Sequence, residues 1–208
     1  MKDQDPRISF FDQCAEHWDH HGPPPEEMIA RLEQLLPMLN LGRGEDLLEV
    51  GCGTGSMTAW LAKTVTPGRV VAMDFSPAML AKARSRGTNA DFVELDICST
   101  RASDRLGERK FTTVLCLNVF PHFRDPVMAL QNIRRSMQPD GKLIVLHLVG
   151  REHLHAIHAN AGEAVRHDRL LQEEEWSSLL DQTGFQRVQL TDQPNFFLLI
   201  AKHNRSAT

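Results

Sequence analysis

Short apolar segments that alternate with helix-forming segments constrain the fold of this chain more than any other feature. The predicted strands are "DLLEV" (46–50), "RVVAMDF" (69–75), "DFVELDI" (91–97), "FTTVLCLNV" (111–119) and "KLIVLHLV" (142–149). Between them lie the predicted helices "SMTAWLAKTV" (56–65), "SPAMLAKARSR" (76–86) and "DPVMALQNIRRSM" (125–137), and a turn "QPDG" precedes strand five. Strands separated by helices predict an α/β fold: a doubly wound, mostly parallel sheet with helices on both faces.

The two ends of the chain depart from this alternation. At the C-terminal end, "FQRVQLTDQ" (185–193) and "NFFLLIAKH" (195–203) predict an antiparallel hairpin at the sheet edge, which gives seven strands in all. At the N-terminal end, the apolar spacing of "PPPEEMIARLEQLLPML" (23–39) predicts a helix. We therefore expect one structural domain with a helical cap over residues 1–44 and the main domain over 45–208.

Composition excludes several classes of function. The chain has 208 residues and a formal net charge of −4, whereas a general nucleic-acid binder is normally basic. Its apolar runs are strand-sized, so we expect no membrane contact, and the first residues lack the apolar segment of a signal peptide. The four cysteines form no C-x-x-C pair, which favours small buried side chains over a disulfide frame or zinc site. We expect a cytoplasmic protein.

Three glycines follow the first predicted strand in "EVGCGTGSM" (49–57). A dinucleotide-binding turn reads G-x-G-x-x-G, but here Ser56 occupies the place of the third glycine. The acidic Glu49 before the turn would repel a pyrophosphate and would suit a cationic group. An adenosine cofactor that carries an ammonium group and no phosphate is S-adenosylmethionine.

Acidic residues at the ends of the next two strands support this cofactor. Asp74 ends strand two, where its carboxylate can accept hydrogen bonds from both ribose hydroxyls. Asp96 ends strand three, where it can accept from the adenine amine while Ile97 packs on the ring. The segment "LNVFPHF" (117–123) ends strand four and is expected beside the sulfonium, since ligands bind at the carboxyl ends of such strands.

Over residues 8–203 the chain resembles the class I S-adenosylmethionine-dependent methyltransferases. The resemblance is carried by "LLEVGCGTG", "VVAMDFSPAML", "VELDI", "LCLNVFPHF" and "SMQPDGKLIVLH", and "FFDQCAEHWD" is similar to the cap helix of small-molecule members. It implies a Rossmann-like fold. The cofactor-binding residues that we predict are Glu49, Gly51, Cys52, Gly53, Thr54, Gly55, Asp74, Phe75, Met79, Asp96, Ile97, Asn118 and Val119.

The acceptor side is predicted from histidines and aromatic residues. Methyl transfer requires alignment, and some acceptors also need a base, a role that suits histidine. His122 is the predicted catalytic residue; the alternative is a loop histidine packed between Phe120 and Phe123. The predicted acceptor pocket comprises Phe11, Trp18, His147, His155 and His158.

We expect methyl transfer to a small-molecule acceptor by in-line displacement, without a metal. One alternative is a non-catalytic or metal-responsive cofactor-binding protein that uses the His-rich segment 147–167. A second is an NAD-dependent oxidoreductase, which Ser56 and the terminal hairpin disfavour. The sequence leaves open the oligomeric state and whether the methylated atom is oxygen, nitrogen, sulfur or carbon.

Overall fold

A seven-stranded sheet in the order β3-β2-β1-β4-β5-β7-β6 organises the computed structural model, which describes residues 5–20, 22–107 and 110–204. Strands β1 to β5 are parallel, whereas β7 pairs antiparallel with both β5 and β6. The predicted fold class is confirmed. The strands are β1 Asp46–Val50, β2 Arg69–Asp74, β3 Asp91–Glu94, β4 Phe111–Leu117, β5 Met137–His147, β6 Phe185–Gln193 and β7 Phe196–His203.

Eight helices in the described residues connect or cover these strands. Two of them begin with a side-chain cap: the Ser76 side chain accepts from the Met79 amide at 3.1 Å, and that of Asp125 accepts from the Met128 amide at 2.9 Å. The helices are α1 Pro6–Cys14, α2 Pro25–Leu39, α3 Thr58–Val65, α4 Pro77–Ser85, α5 Ala102–Leu106, α6 Pro126–Ser136, α7 Arg151–Ala159 and α8 Glu173–Thr183.

The core lies on both faces of the sheet because successive strand residues point to opposite sides. On one face Leu48 and Val114 pack in a cluster that contains the fully buried Trp176 of α8. On the other face Leu47 and Leu115 pack in a cluster with residues of α2 and α3. Burial of each such leucine contributes about 1.5–3 kcal/mol, so both helical layers are held by the sheet.

One detail differs from the sequence-based expectations. Strand β5 begins at Met137, so the predicted turn at 138–141 lies inside the strand as an irregularity: Phe111 pairs with Met137, but Thr113 pairs with Lys142. The four cysteines are free, and three of them are buried. None of the described helices is both long and apolar enough to cross a membrane.

The order of the strands creates a crevice at one position along the sheet. The chain leaves β1 towards β2 and β3, then returns to the other side of β1 with β4. In open α/β sheets, ligands bind at the carboxyl ends of the strands where the order reverses in this way. The candidate site is therefore expected above the ends of β1 and β4.

Candidate functional site

The glycine turn after β1 is fixed by backbone contacts that require glycine. Gly51, Gly53 and Gly55 have φ angles of +72°, +55° and +73°, a region that glycine adopts without strain. The amides of Gly51 and Cys52 donate to the Met73 carbonyl at 2.8 and 3.0 Å. A Cβ on Gly51 would lie 2.3 Å from the Val119 side chain, so only glycine permits this close approach.

A cavity of about 310 Å³ opens beside this turn, at the carboxyl ends of β1 and β4. Its walls come from the turn, the ends of β2 and β4, the segments after β3 and β4, and the N-terminal segment. Eleven of the thirteen predicted cofactor residues line it: Glu49, Gly51, Cys52, Gly53, Asp74, Phe75, Met79, Asp96, Ile97, Asn118 and Val119.

Thr54 and Gly55, the other two predicted cofactor residues, are not in the cavity wall. The Thr54 hydroxyl donates to the Asp19 carboxylate at 2.5 Å. A Cβ on Gly55 would lie 2.9 Å from the Ala83 Cβ, because the turn packs tightly on α4 there. Gly55 therefore allows the turn to pack closely against α4, and the hydrogen bond from Thr54 to Asp19 attaches the N-terminal segment to the turn.

Two buried carboxylates face the cavity. Glu49 is 3% exposed and accepts from the Thr58 hydroxyl at 2.7 Å; burial, together with the nearby Asp74, raises its pKa to about 7. The oxygens of Asp74 accept from the Gly53 and Ser76 amides at 2.8 and 2.9 Å, and burial raises the pKa of this carboxyl too.

Both carboxylates fit S-adenosylmethionine, and Glu49 disfavours a dinucleotide. Each Asp74 oxygen accepts one backbone hydrogen bond and keeps a second lone pair, which a ribose hydroxyl can use. Glu49 would stabilise an ammonium group and would destabilise a pyrophosphate through like charge.

Asp96 and Asn118 are held by further contacts at the strand ends. The Asp96 carboxylate accepts from the Cys98 amide at 2.7 Å and from Arg124 at 2.9 Å. Asn118 has a φ of +54°, and its side-chain oxygen accepts from the Leu148 amide at 3.1 Å. The ends of β4 and β5 are tied together in this way beside the cavity.

His122 lies in a 3-10 turn, Phe120–His122, and lines the cavity. Its Nδ1 is 2.7 Å from Oδ2 of Asp168, and its ring centroid is 5.1 Å from that of Phe11. The alternative packing between Phe120 and Phe123 is not what the structure shows: these two rings pack on each other at 5.1 Å.

Sequence reasoning missed Asp168 and Arg7. Arg7 of α1 donates to Oδ1 of Asp168 at 2.7 Å from Nη2 and to Oδ2 at 3.1 Å from Nε. Burial tends to raise the pKa of Asp168, but the hydrogen bonds from His122 and Arg7 produce a net lowering. No motif marks either residue, because they lie far from His122 in sequence and only the fold brings them together.

The predicted acceptor pocket is brought together in part. Phe11, Trp18 and His158 line the cavity. His147 does not: it is 1% exposed within β5, no described residue hydrogen-bonds its ring, and burial lowers its pKa to about 3. His155 is partly buried on α7 and is also outside the cavity wall.

The histidine-rich segment forms no metal site in the described part of the chain, where no group of three or more potential ligands could hold an ion. His153 and His167 are exposed, and the Nδ1 of His158 is bonded to the Asp168 carbonyl at 2.7 Å. Nothing in the described residues favours the metal-responsive alternative.

The N-terminal segment, residues 5–20, closes one side of the cavity with Phe11 and Trp18 and is fastened to the main domain by polar contacts. Asp12 accepts from the Ser76 hydroxyl at 2.5 Å, and Lys82 pairs with Glu16 at 2.6 Å. Asp19 pairs with Arg86. We call this segment the cap segment.

Comparison with known proteins gives consistent results. A family profile described as a methyltransferase domain matches residues 48–145. A malonyl-[acyl-carrier protein] O-methyltransferase from Herminiimonas arsenicoxydans is 28% identical over 86% of this chain and 66% of its own length. A ubiquinone biosynthesis O-methyltransferase from Xylella fastidiosa is 29% identical over 62% of this chain and 52% of its own length. The chain thus spans less than two thirds of these relatives.

Solved structures share the fold. A DhpI complex with S-adenosylhomocysteine (SAH) has a TM-score of 0.68 and 21% identity, and the match covers 95% of each chain. An S-adenosylmethionine-dependent methyltransferase from Clostridium acetobutylicum has a TM-score of 0.65 and 15% identity, over 95% of this chain and 99% of that one. Residues 48–145 thus match a methyltransferase domain, and the strand order and these structural likenesses show that the chain has the class I S-adenosylmethionine-dependent methyltransferase fold.

Proposed function

We propose that this protein transfers a methyl group from S-adenosylmethionine to a small-molecule acceptor. The observation that carries the proposal is one cavity that joins two sets of groups. The glycine turn and the two buried carboxylates form one set, His122 and His158 form the other, and all of them line the cavity together with Phe11 and Trp18 of the cap segment. A cofactor bound along the first set would present its reactive end to the second.

The cofactor supplies a methyl group on a positively charged sulfur, which is already activated for transfer. The protein then has to hold both reactants in line and exclude water. Glu49 would hold the ammonium group, Asp74 the ribose hydroxyls and Asp96 the adenine amine. Phe11 and Trp18 of the cap segment cover the cavity and would exclude water from it.

His122 is the proposed base for an acceptor that arrives with a proton. As the new bond to the methyl carbon forms, the carbon–sulfur bond breaks and its electron pair stays on sulfur. The acceptor's proton passes to Nε2 of His122, because Nδ1 is occupied by Asp168. This step suits a hydroxyl acceptor, and both relatives named above are O-methyltransferases.

A small acceptor is supported by the closed cap segment and by the negative net charge of −4. The cap segment contacts α4 and the glycine turn, so the cavity is narrowed from above by Phe11 and Trp18. A nucleic-acid acceptor would require a basic surface, which this composition disfavours.

The test is a label-transfer experiment in two steps. Calorimetry with SAH first measures cofactor binding, for which Asp74→Asn is the weakened variant. Protein with methyl-labelled cofactor is then incubated with an extract of the native cells, and the products are separated by size. Label in the low-mass fraction that depends on His122 supports the proposal. Label confined to protein or RNA, or no binding of SAH, refutes it.

A further inference from the structure

The Asp168 carboxylate joins three parts of the chain that are distant in sequence. Its Oδ2 is 2.7 Å from Nδ1 of His122, and Arg7 donates to both of its oxygens, at 2.7 and 3.1 Å. The side chain is 5% exposed, so the ion pair with Arg7 is largely shielded from solvent. A paired guanidinium in this geometry fixes the carboxylate in one orientation.

The same residue holds a second imidazole through its backbone. Nδ1 of His158 lies 2.7 Å from the Asp168 carbonyl oxygen. A carbonyl can only accept, so His158 donates from Nδ1, and burial lowers the pKa of this histidine, which favours its neutral form. In that form Nε2 carries a lone pair.

The two imidazoles are therefore held in the same tautomer, with the proton on Nδ1. An ionised Asp168 can only accept, so His122 also donates from Nδ1, and its neutral form leaves the Nε2 lone pair unused. The ring centroids are 5.0 Å apart, and both rings line the cavity. Within the described residues, the charged or titratable side chains around this pair are Arg7, Asp168, the buried His147 and His155 of α7.

We propose that Asp168 is a positioning residue that keeps Nε2 of His122 free to take the acceptor's proton, and that Arg7 of the cap segment completes this arrangement. The inference rests on the proposed function. Arg7 reaches Asp168 only while α1 lies over the cavity, so closing the cap segment and ordering the base become one event. A base that is ordered only after closure takes its proton in a site from which water has been excluded.

The first test needs no acceptor. Nitrogen-15 NMR of histidine-labelled protein with SAH bound reports which ring nitrogen of His122 carries the proton, and His122→Gln assigns the signal. We expect a protonated Nδ1 in the natural protein. In Asp168→Asn the amide oxygen should face Arg7 and the amide NH₂ should face His122, which moves the proton to Nε2.

The second test distinguishes the loss of the Arg7–Asp168 contact from a general loosening of the cap segment. Arg7→Gln should lower kcat about tenfold, and Asp168→Asn should lower it roughly 100-fold, within the range of a general base, while both leave SAH affinity unchanged. Because Arg7 acts through Asp168, the double variant should be no slower than Asp168→Asn alone. The matched control is Lys82→Gln, which breaks an exposed cap contact and should leave kcat unchanged.

Several results would overturn the inference. An unchanged His122 tautomer in Asp168→Asn would show that Asp168 does not position His122. Additive losses of kcat in the double variant would show that Arg7 does not act through Asp168. Asp168→Glu, which keeps the charge, should restore part of kcat; equal defects in both Asp168 variants would indicate a merely structural role. If the tautomer behaves as expected but no small molecule is methylated, the proposed function fails and the arrangement around Asp168 stands.

Discussion

The buried Glu49 makes cofactor affinity depend on pH. Its pKa is raised to about 7, mainly by burial, so the carboxyl is largely protonated below neutrality. An ammonium group of the cofactor pairs only with the ionised form, so binding must remove the proton. With a pKa of about 7, the affinity for SAH should fall roughly 20-fold from about pH 7.5 to pH 5.5.

Calorimetry across this pH range measures the affinity for SAH. Repeating it in buffers of different ionisation enthalpy also gives the number of protons released on binding. At about pH 6.5 we expect roughly three quarters of a proton released per SAH bound, since about that fraction of the Glu49 carboxyl is protonated there. Glu49→Gln should bind more weakly and with little pH dependence. Thr58→Val, which removes the hydroxyl donor to Glu49, should move the midpoint to higher pH. A flat profile in the natural protein, or a slope that persists in Glu49→Gln, would refute this account.

The same carboxyl affects stability with a defined sign. The folded pKa of about 7 exceeds the ordinary glutamate value of 4.5, so the folded state binds the proton more tightly. Stability from this group is present below about pH 4.5 and is lost as pH rises towards 7. The loss approaches about 3 kcal/mol, so unliganded Glu49→Gln should melt at a higher temperature than the natural protein at pH 8.

Three further predictions concern other parts of the molecule. Gly55→Ala should lower the free energy of unfolding by about 3 kcal/mol, because the strain of a positive φ adds to the close contact with Ala83. Gly87→Ala, at a residue with φ +65° and nothing within 4 Å of an added Cβ, should lower the free energy of unfolding by only about 1 kcal/mol. Equal melting temperatures of the two variants would contradict this. His147→Leu should reduce acid destabilisation, since a folded pKa of about 3 costs stability as pH falls below 6.5, and unchanged acid unfolding would exclude this origin. His122→Ala should lower kcat at least 100-fold, a rough figure for a lost base, with SAH affinity kept, as measured by single-turnover label transfer.

The fold and the cofactor side could be predicted because their signals are local. Strand runs, helices and the turn from Gly51 to Gly55 are each specified by neighbouring residues. The irregular start of β5 was not predictable, because residues 138–141 read as an ordinary turn and only pairing with Phe111 extends the strand.

The acceptor side was harder to predict because its signals are not local. His147 looked like a pocket residue from its place at a strand end, but its side chain points into the core. Asp168 carried no signal at all, since its role depends on contacts with Arg7 and His122 across the fold. A lone aspartate in a loop gives no reason to expect such contacts.

Different segments of the chain supply different parts of the cavity wall. The segment that matches the methyltransferase profile, 48–145, supplies the glycine turn, the acids and His122, whereas Phe11, Trp18 and His158 lie before or after it. Proteins that share this segment can therefore keep the donor half and diverge in the flanks. For this architecture, resemblance within the shared stretch is informative about the donor-binding groups, whereas part of the cavity wall lies in sequence outside that stretch.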